Sequence, residues 1–262
     1  MPLDSDDIIE PDCVHVMTRA IQRSGYPAAL FTDEDKLSDD RFSNPYFKPE
    51  WDPVLFVHSC YIAHLCAIDR VRALELGIYT NRGAEGCHDW DSFIRLMNAG
   101  HLPVPEVLYS WRMHRQSTSG NISSKSYIAD SHRATLRQFL DHADAPHVEL
   151  TTSPLFSFGV DWWFKRKRIA PLSHVSLVIT HNVEAGAGAT PSGREDCVFL
   201  NAGDGIAALS EQLGSSKAEL VHIRWTAIEP DDDEWLWDAM ALIELFPDTV
   251  MVGGTMHDGR KV

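Results

Sequence analysis

Apolar and polar positions fall into blocks along this chain, and the blocks predict helices and strands in alternation. After Glu10-Pro11, the residues Val14, Met17, Ala20 and Ile21 recur at helical spacing, and Gly25-Tyr26-Pro27 ends the stripe. Ala28 to Thr32 is a short apolar run, which predicts a buried strand ending on Asp33-Glu34-Asp35. From Lys36 to Pro53 the pattern is polar and proline-bearing, which predicts a long ordered loop. Tyr61 to Ile68 returns to strand character. Asp69 is placed to cap a helix through Leu76, with Gly77 as its left-handed stop. Trp90, Phe93, Ile94 and Met97 share a face of a helix over 89–99 that Gly100 ends. Val104 to His114 reads as a strand, and Gln116 to Ser126 as a Ser/Thr/Asn-rich loop. Ile128, Leu136, Phe139 and Leu140 predict a helix over 127–142. Strands alternating with helices predict an α/β fold built on a mixed sheet with flanking helices.

The composition then shifts. Asp161-Trp162-Trp163-Phe164-Lys165-Arg166-Lys167-Arg168 is aromatic and basic, and Pro171 follows it. This places a linker over 151–173, between a first domain at 1–150 and a second α/β unit at 174–262 that opens with the strand-like Val175–Thr180. The cations Lys165–Arg168 either solvate the linker and cover its tryptophans or touch an anionic membrane surface. A weak repeat links the halves: Ile9-Glu10-Pro11 recurs as Ile228-Glu229-Pro230, followed by a helical pattern near Trp235–Phe246 and a strand-like Val250-Met251-Val252. Aligned on those tripeptides, Asp4, Asp6 and Asp7 face Ile223, Trp225 and Thr226, so the second copy lacks the acidic cluster.

The totals narrow the function classes. The chain has 262 residues, 44% of them hydrophobic, enough for a sizeable core. A formal charge of −15 argues against general nucleic-acid binding. Five cysteines, an odd number without CxxC spacing, fit reduced thiols in a cytoplasmic setting better than a disulfide framework or a zinc site. No apolar run is long enough to cross a bilayer.

Four stations in the first half are polar where a core does not need polarity. Leu3-Asp4-Ser5-Asp6-Asp7-Ile8 crowds carboxylates that repel one another unless a cation, a capped backbone or water relieves them. If the stretch is extended, Asp4 and Asp6 project to one side and suit a hard divalent ion. The alternative is that Asp6 or Asp7 caps the following helix. Asp33-Glu34-Asp35 sits at the carboxyl end of a predicted strand, where α/β sheets bind ligands. In Cys87-His88-Asp89-Trp90-Asp91 a carboxylate opens a helix, either as a cap or as a functional acid. In Trp111-Arg112-Met113-His114, a strand places Arg112 and His114 on one face as a phosphate fork and an imidazole ligand.

Taken in order, Leu3–Asp7, Thr32-Asp33-Glu34-Asp35-Lys36, Phe47-Lys48-Pro49-Glu50-Trp51, Tyr61-Ile62, His88-Asp89-Trp90-Asp91 with Ile94-Arg95-Leu96, and Val107–His114 with Ser117-Thr118 resemble family 2 glycosyltransferases of the GT-A fold. The resemblance covers residues 3–119. It implies a nucleotide-diphosphate sugar donor, a glycan or lipid-linked acceptor, Mn²⁺ or Mg²⁺, and inversion at the anomeric carbon. By the same resemblance Asp4 and Asp6 are metal ligands with His114, and Asp89 is the catalytic base. Arg112, Asp33 and Asp35 lie on the donor diphosphate side. Trp51 and Trp90 stack on the acceptor or pack in the core. Glycan assembly from the cytoplasmic side, peripheral to the membrane, is the setting it suggests.

The family's strand-helix-strand unit before the acidic pair has no counterpart ahead of Leu3. Residues from Val175 onward resemble the opening of a second such domain. The expectation is the back of one glycosyltransferase domain followed by the front of a degenerate second one, as in an internal piece of a tandem enzyme. One permuted domain, with the 182–188 loop and Asp204 facing the nucleotide, is the minority alternative. An inactive scaffold fragment and an aspartate-nucleophile phosphohydrolase are the rival functions.

Overall fold

The computed structural model describes residues 2–113, 126–153, 162–169, 174–180, 197–201, 203, 205–218, 220–225 and 234–253. His114, the 182–188 loop and Asp204 lie outside them. The chain divides into one unit of residues 1–166 with 238–262 and another of residues 167–237.

The first unit contains, in order, β1 (Ile8–Ile9), α1 (Cys13–Arg23), β2 (Ala29–Ser38), β3 (Arg41–Tyr46), α2 (Pro53–His58), β4 (Cys66–Ile68), α3 (Arg70–Glu75), α4 (His88–Arg95), β5 (His101–Arg112), α5 (Ser126–His142), β6 (Val148–Thr152) and β7 (Trp162–Arg166). Its main sheet has the order β1-β5-β2-β3, with β4 also pairing β2. β2 is parallel to β5 and antiparallel to β3 and β4, so the sheet is mixed. Side chains alternate across β2. Ala29 and Phe31 enter a core shared with Phe56, Trp90, Phe93, Leu136 and Phe164, on the side of α2, α4 and α5. Leu30 enters the opposite core with Cys13 and Met17 of α1, Leu65 and Tyr109. Helices thus flank the sheet on both faces.

Several local expectations hold. The Asp69 carboxylate caps α3 by accepting from the Arg72 N–H at 2.9 Å, and Gly77 ends it at φ 63°. α5 forms as predicted. Other segments differ. The loop expected over 36–53 is largely a hairpin, because Ser38 pairs Arg41 across a two-residue turn in which Asp39 and Asp40 both have positive φ. That is the primed turn geometry matching strand twist, which aspartates tolerate. Pro45 fits the exposed edge strand β3, where no ladder donor is required. The loop's end also hides α2: Asp52 accepts from the Val54 and Leu55 N–H groups, and Pro53 starts the helix. The strand expected from Tyr61 shrinks to β4, and Val250–Val252 forms no strand. Trp162–Arg166, expected as linker, is β7, paired with β6, and its Phe164 is buried in the core. Two of the expected free cations there are ion-paired: Arg166 with Glu244 at 3.6 Å, and Arg168 with Glu234.

The second unit holds a parallel sheet of order β10-β8-β9, from β8 (His174–Thr180), β9 (Cys197–Asn201) and β10 (Leu220–Trp225), with α6 (Gly205–Ser215) between the last two. The helix α7 (Glu234–Leu245) begins in this unit, and its Ala241 and Leu245 lie in the core of the first. The sequence repeat is not a repeat of local structure: Ile223–Trp225 is strand, whereas Asp4–Asp7 is a turn. Among the described residues no helix is long and apolar enough to cross a membrane.

Phe31 is 1% exposed and Phe42, on the edge strand, is 60% exposed. Phe31→Ala is therefore expected to cost about 3–5 kcal/mol of stability. Phe42→Ala should stay within about 0.5 kcal/mol, with both read from urea unfolding curves.

Candidate active site

Because β2 and β5 run parallel, their carboxyl ends lie at one edge of the sheet, the edge at which α/β sheets receive ligands. β1 is antiparallel to β5, pairing Ile8 with Ser110, so the preceding Asp4–Asp7 segment reaches the same edge. This segment is not the extended strand exit expected. It is a turn, with the Asp7 N–H donating to the Asp4 carbonyl at 3.4 Å. The physical reason is Arg112. Its backbone N–H donates to Asp7 Oδ1 at 2.7 Å and its Nε–H to the Asp6 carbonyl at 2.8 Å, folding the turn onto β5. The Tyr109 hydroxyl donates to Asp7 Oδ2. Burial, then the bond to Asp7 and the charges of Asp7 and Asp4, hold the Tyr109 phenol well above its ordinary range, so it remains a donor. Asp7 is thus an anchor for the turn and caps no helix.

Asp4 and Asp6 keep exposed side chains. Two carboxylates on an exposed turn offer hard oxygen donors, which fits Mg²⁺ or Mn²⁺ retaining most of its waters. Among the described residues no group of three or more His, Cys, Asp or Glu is arranged to cage a metal. His114, the expected third ligand, is outside those residues.

The second acidic station divides by role. Asp33 is buried and its Oδ1 accepts from the Lys48 N–H at 2.8 Å, tying the chain after β3 back to β2. Asp35 carries a buried Oδ1 with no hydrogen-bond partner among the described residues. Glu34, between them, faces Lys48 Nζ at 3.0 Å and His64 Nδ1 at 3.5 Å. Burial pushes the Glu34 carboxyl up. The hydrogen bond from His64 and the charge of Lys48 outweigh it, so the net direction is below the ordinary 4.5. Burial alone would depress His64, yet its bond to Glu34 and the charges of Glu34 and Asp89 raise it above 6.5. The His64 ring stacks on Tyr109, with centroids 5.3 Å apart and planes within 5°, and lies 5.2 Å from the Trp111 ring.

Asp89 occupies the first turn of α4, but the residue at the cap is Cys87, without a side-chain cap bond. The Asp89 carboxylate instead accepts from the Tyr79 hydroxyl at 2.5 Å. Its charge contributes to raising Tyr79, Cys60, Cys66, Cys87 and His64, so all of these share its field. Asp91 is the structural acid of this helix. It is buried, paired to Arg95 at 2.9 Å, and accepts from Asn81 Nδ2 at 2.7 Å. Of the two readings for Trp90, the structure has it packed in the core: it is 4% exposed and its indole N–H donates to the Phe56 carbonyl at 2.8 Å. Trp51 stacks one face on His101 at 3.6 Å.

Hydrogen bonds and ring contacts thus join the Asp6–Asp7 turn, Arg112, Tyr109, His64 and Glu34, and the charge of Asp89 acts on His64. His64, Lys48, Tyr79 and Tyr109 were missed from sequence. The one signal was polar residues closing apolar runs, as in Tyr61-Ile62-Ala63-His64, which does not separate them from surface positions.

No protein-family profile matches the chain. It is 26% identical over 223 residues to y4gI, an uncharacterized protein of Sinorhizobium fredii, covering 81% of this chain and 24% of that protein. It is 27% identical over 145 residues to the O-antigen biosynthesis protein RfbC of Myxococcus xanthus, covering 53% of this chain and 11% of the relative. Against the chondroitin synthase of Pasteurella multocida the identity is 28% over 120 residues, 45% of this chain and 12% of the synthase. The chain thus spans about a quarter or less of the length of these relatives.

Lys48 is 1% exposed on its side chain, and Lys48→Met leaves the buried Glu34 carboxylate without its nearer cation, facing His64 at 3.5 Å. A loss of about 3–5 kcal/mol in urea unfolding is expected. The Glu34 contribution is present above pH 4.5 and lost as pH falls through its depressed folded value. The His64 contribution is full below pH 6.5 and lost as pH rises through its raised folded value. The stability difference between the wild type and His64→Gln should therefore peak between pH 4.5 and 6.5 and shrink on both sides, as urea midpoints across pH will show.

Proposed function

We propose that this chain contributes to glycosyl transfer, as the acceptor-side part of a family 2 glycosyltransferase of GT-A fold that inverts a nucleotide-diphosphate sugar onto a glycan or lipid-linked hydroxyl. The observation that carries the reading is the shared edge of β2 and β5. There the acidic turn Asp4–Asp7 is bonded to Tyr109 and Arg112, the His64 ring stacks on Tyr109, and the charge of Asp89 acts on His64, which supports this reading. Low-identity likeness to O-antigen and chondroitin biosynthesis proteins supports the same class of reaction.

In this reading Asp4 and Asp6 hold Mn²⁺ or Mg²⁺, with His114 as a further ligand, and the bound ion supplies charge neutralisation for the diphosphate leaving group. Arg112 holds the acidic turn in register and directs its guanidinium charge toward the donor side. Asp89 takes the proton from the acceptor hydroxyl as that oxygen attacks the anomeric carbon. The Tyr79 hydroxyl bond fixes the orientation of the Asp89 carboxylate. A parent protein with two glycosyltransferase-like domains belongs to the same proposal, the parallel sheet of β8, β9 and β10 being the opening of the second. The phosphohydrolase alternative gains no support, because Asp4 sits in an exposed turn and not at the end of a buried strand.

Transfer of labelled sugar from nucleotide-diphosphate sugars to glycan acceptors is the direct test. Asp89→Asn should lower turnover by about 100-fold or more while nucleotide-diphosphate binding persists. Unchanged turnover removes Asp89 from the base role.

A further inference from the structure

The ligand edge is rich in acid: Asp7 bonds to Tyr109, Glu34 faces His64, the charge of Asp89 acts on His64, and Asp4 and Asp6 lie exposed on the same turn as Asp7. A diphosphate brought there meets repulsion unless cations face it. The cations already described at this edge are largely engaged. Lys48 is buried against Glu34, Arg112 is bonded through Nε to the Asp6 carbonyl, and Lys36 lies over the Trp111 ring at 5.7 Å.

His64 is the exception. Its ring is held on three sides: Nδ1 toward Glu34 of β2 at 3.5 Å, one face on Tyr109 and a tilted contact with Trp111, both of β5. Its side chain is nevertheless 27% exposed, and no partner of its Nε2 is found among the described residues. The Tyr109 phenol it stacks on bonds to Asp7 of the acidic turn, while the charge of Asp89 acts on the imidazole from α4. His64 thus touches the tyrosine that anchors the turn proposed to hold the donor, and it lies in the field of the carboxylate proposed to activate the acceptor.

Resting on the glycosyl-transfer reading, we propose that His64 is a substrate-binding residue, an imidazolium whose Nε2–H donates to the diphosphate of the sugar donor. Glu34 keeps the proton on Nδ1, Tyr109 and Trp111 fix the ring plane, and Lys48 shares the single negative charge of Glu34, so that His64 is not fully spent on it. The charged and titratable groups facing the ring are Glu34 from β2, Lys48 from the segment after β3, Asp89 from α4 and Tyr109 from β5. A histidine in this place gives a diphosphate contact that weakens as pH rises, because the neutral ring loses its charge.

The probe is inorganic pyrophosphate with Mg²⁺, added to the wild type, His64→Gln and Asp89→Asn, with binding measured by calorimetry at pH 6 and pH 8.5. His64→Gln is expected to weaken binding by about tenfold or more at pH 6, the size of a charge-assisted hydrogen bond, and by less at pH 8.5. Asp89→Asn, which removes one of the charges that raise His64, should lower the pH at which the ring titrates. In the wild type itself, the imidazole C–H resonance of His64 should titrate at higher pH once pyrophosphate is bound. This readout needs no variant to fold beyond what assignment of the signal requires. Wild-type binding that His64→Gln matches, with an unmoved His64 titration, overturns the role of His64 and leaves the glycosyltransferase reading standing. Absence of pyrophosphate and nucleotide-diphosphate binding by the wild type overturns that reading and this inference together.

Discussion

The parallel pairing of β2 with β5 is the constraint on which the rest of the site depends. Two parallel neighbours present their carboxyl ends at one edge, and here the outer half of each carries polar residues: Glu34 and Asp35 in β2, which runs past the expected end at Thr32 to Ser38, and Tyr109 and Arg112 in β5. The register slips twice between Thr32 and Glu34, so β5 carries extra residues just where the strands leave the apolar core and become polar. Such irregularities re-aim side chains. Beyond them Glu34 lies level with Tyr109 and Asp35 with Ser110, and β1 adds the acidic turn on the far side of β5.

A buried charge holds this edge in one arrangement. Glu34 is stable there only because Lys48 and His64 face it, and Lys48 comes from the segment that β3 leads back toward β2. The same segment is tied a second time by the Lys48 N–H to Asp33. Burying an ion pair contributes little net stability, but removing one partner is costly. The pair therefore works mainly as a specifier. It fixes where the hairpin returns, and through His64 and Tyr109 it fixes the geometry between the acidic turn and Asp89.

Aspartates along this chain look alike in sequence and have different duties in the structure. Asp7 clamps a turn to β5, Asp33 anchors a loop, Asp69 and Asp52 cap helices, Asp91 binds Arg95, and Asp39 and Asp40 make a hairpin turn. Asp4 and Asp6 are exposed on the turn, and the Asp89 carboxylate accepts from the Tyr79 hydroxyl. The likeness to glycan-synthesis proteins gains its chemical sense from these three.

Sequence alone determined the parts set by local physics. Helical spacing located α1, α4 and α5, a carboxylate and a glycine bounded α3, and alternation of elements indicated a mixed α/β sheet. The acidic stations and Asp89 were legible because carboxylates clustered beside apolar runs are conspicuous. What tertiary structure decided were matters of long-range pairing. The hairpin of β2 and β3 escaped because its turn uses Asp39-Asp40 and its second strand is an exposed, proline-bearing edge with no core pattern to read. The burial of Trp90 depended on α2, which supplies the Phe56 carbonyl. The folding of Asp4–Asp7 into a turn depended on Arg112, more than a hundred residues away along the chain, and His64 became a candidate ligand only once Glu34, Tyr109 and Asp89 surrounded it. Charge and ring contacts of this kind carry no sequence period, so only the folded chain could assign them.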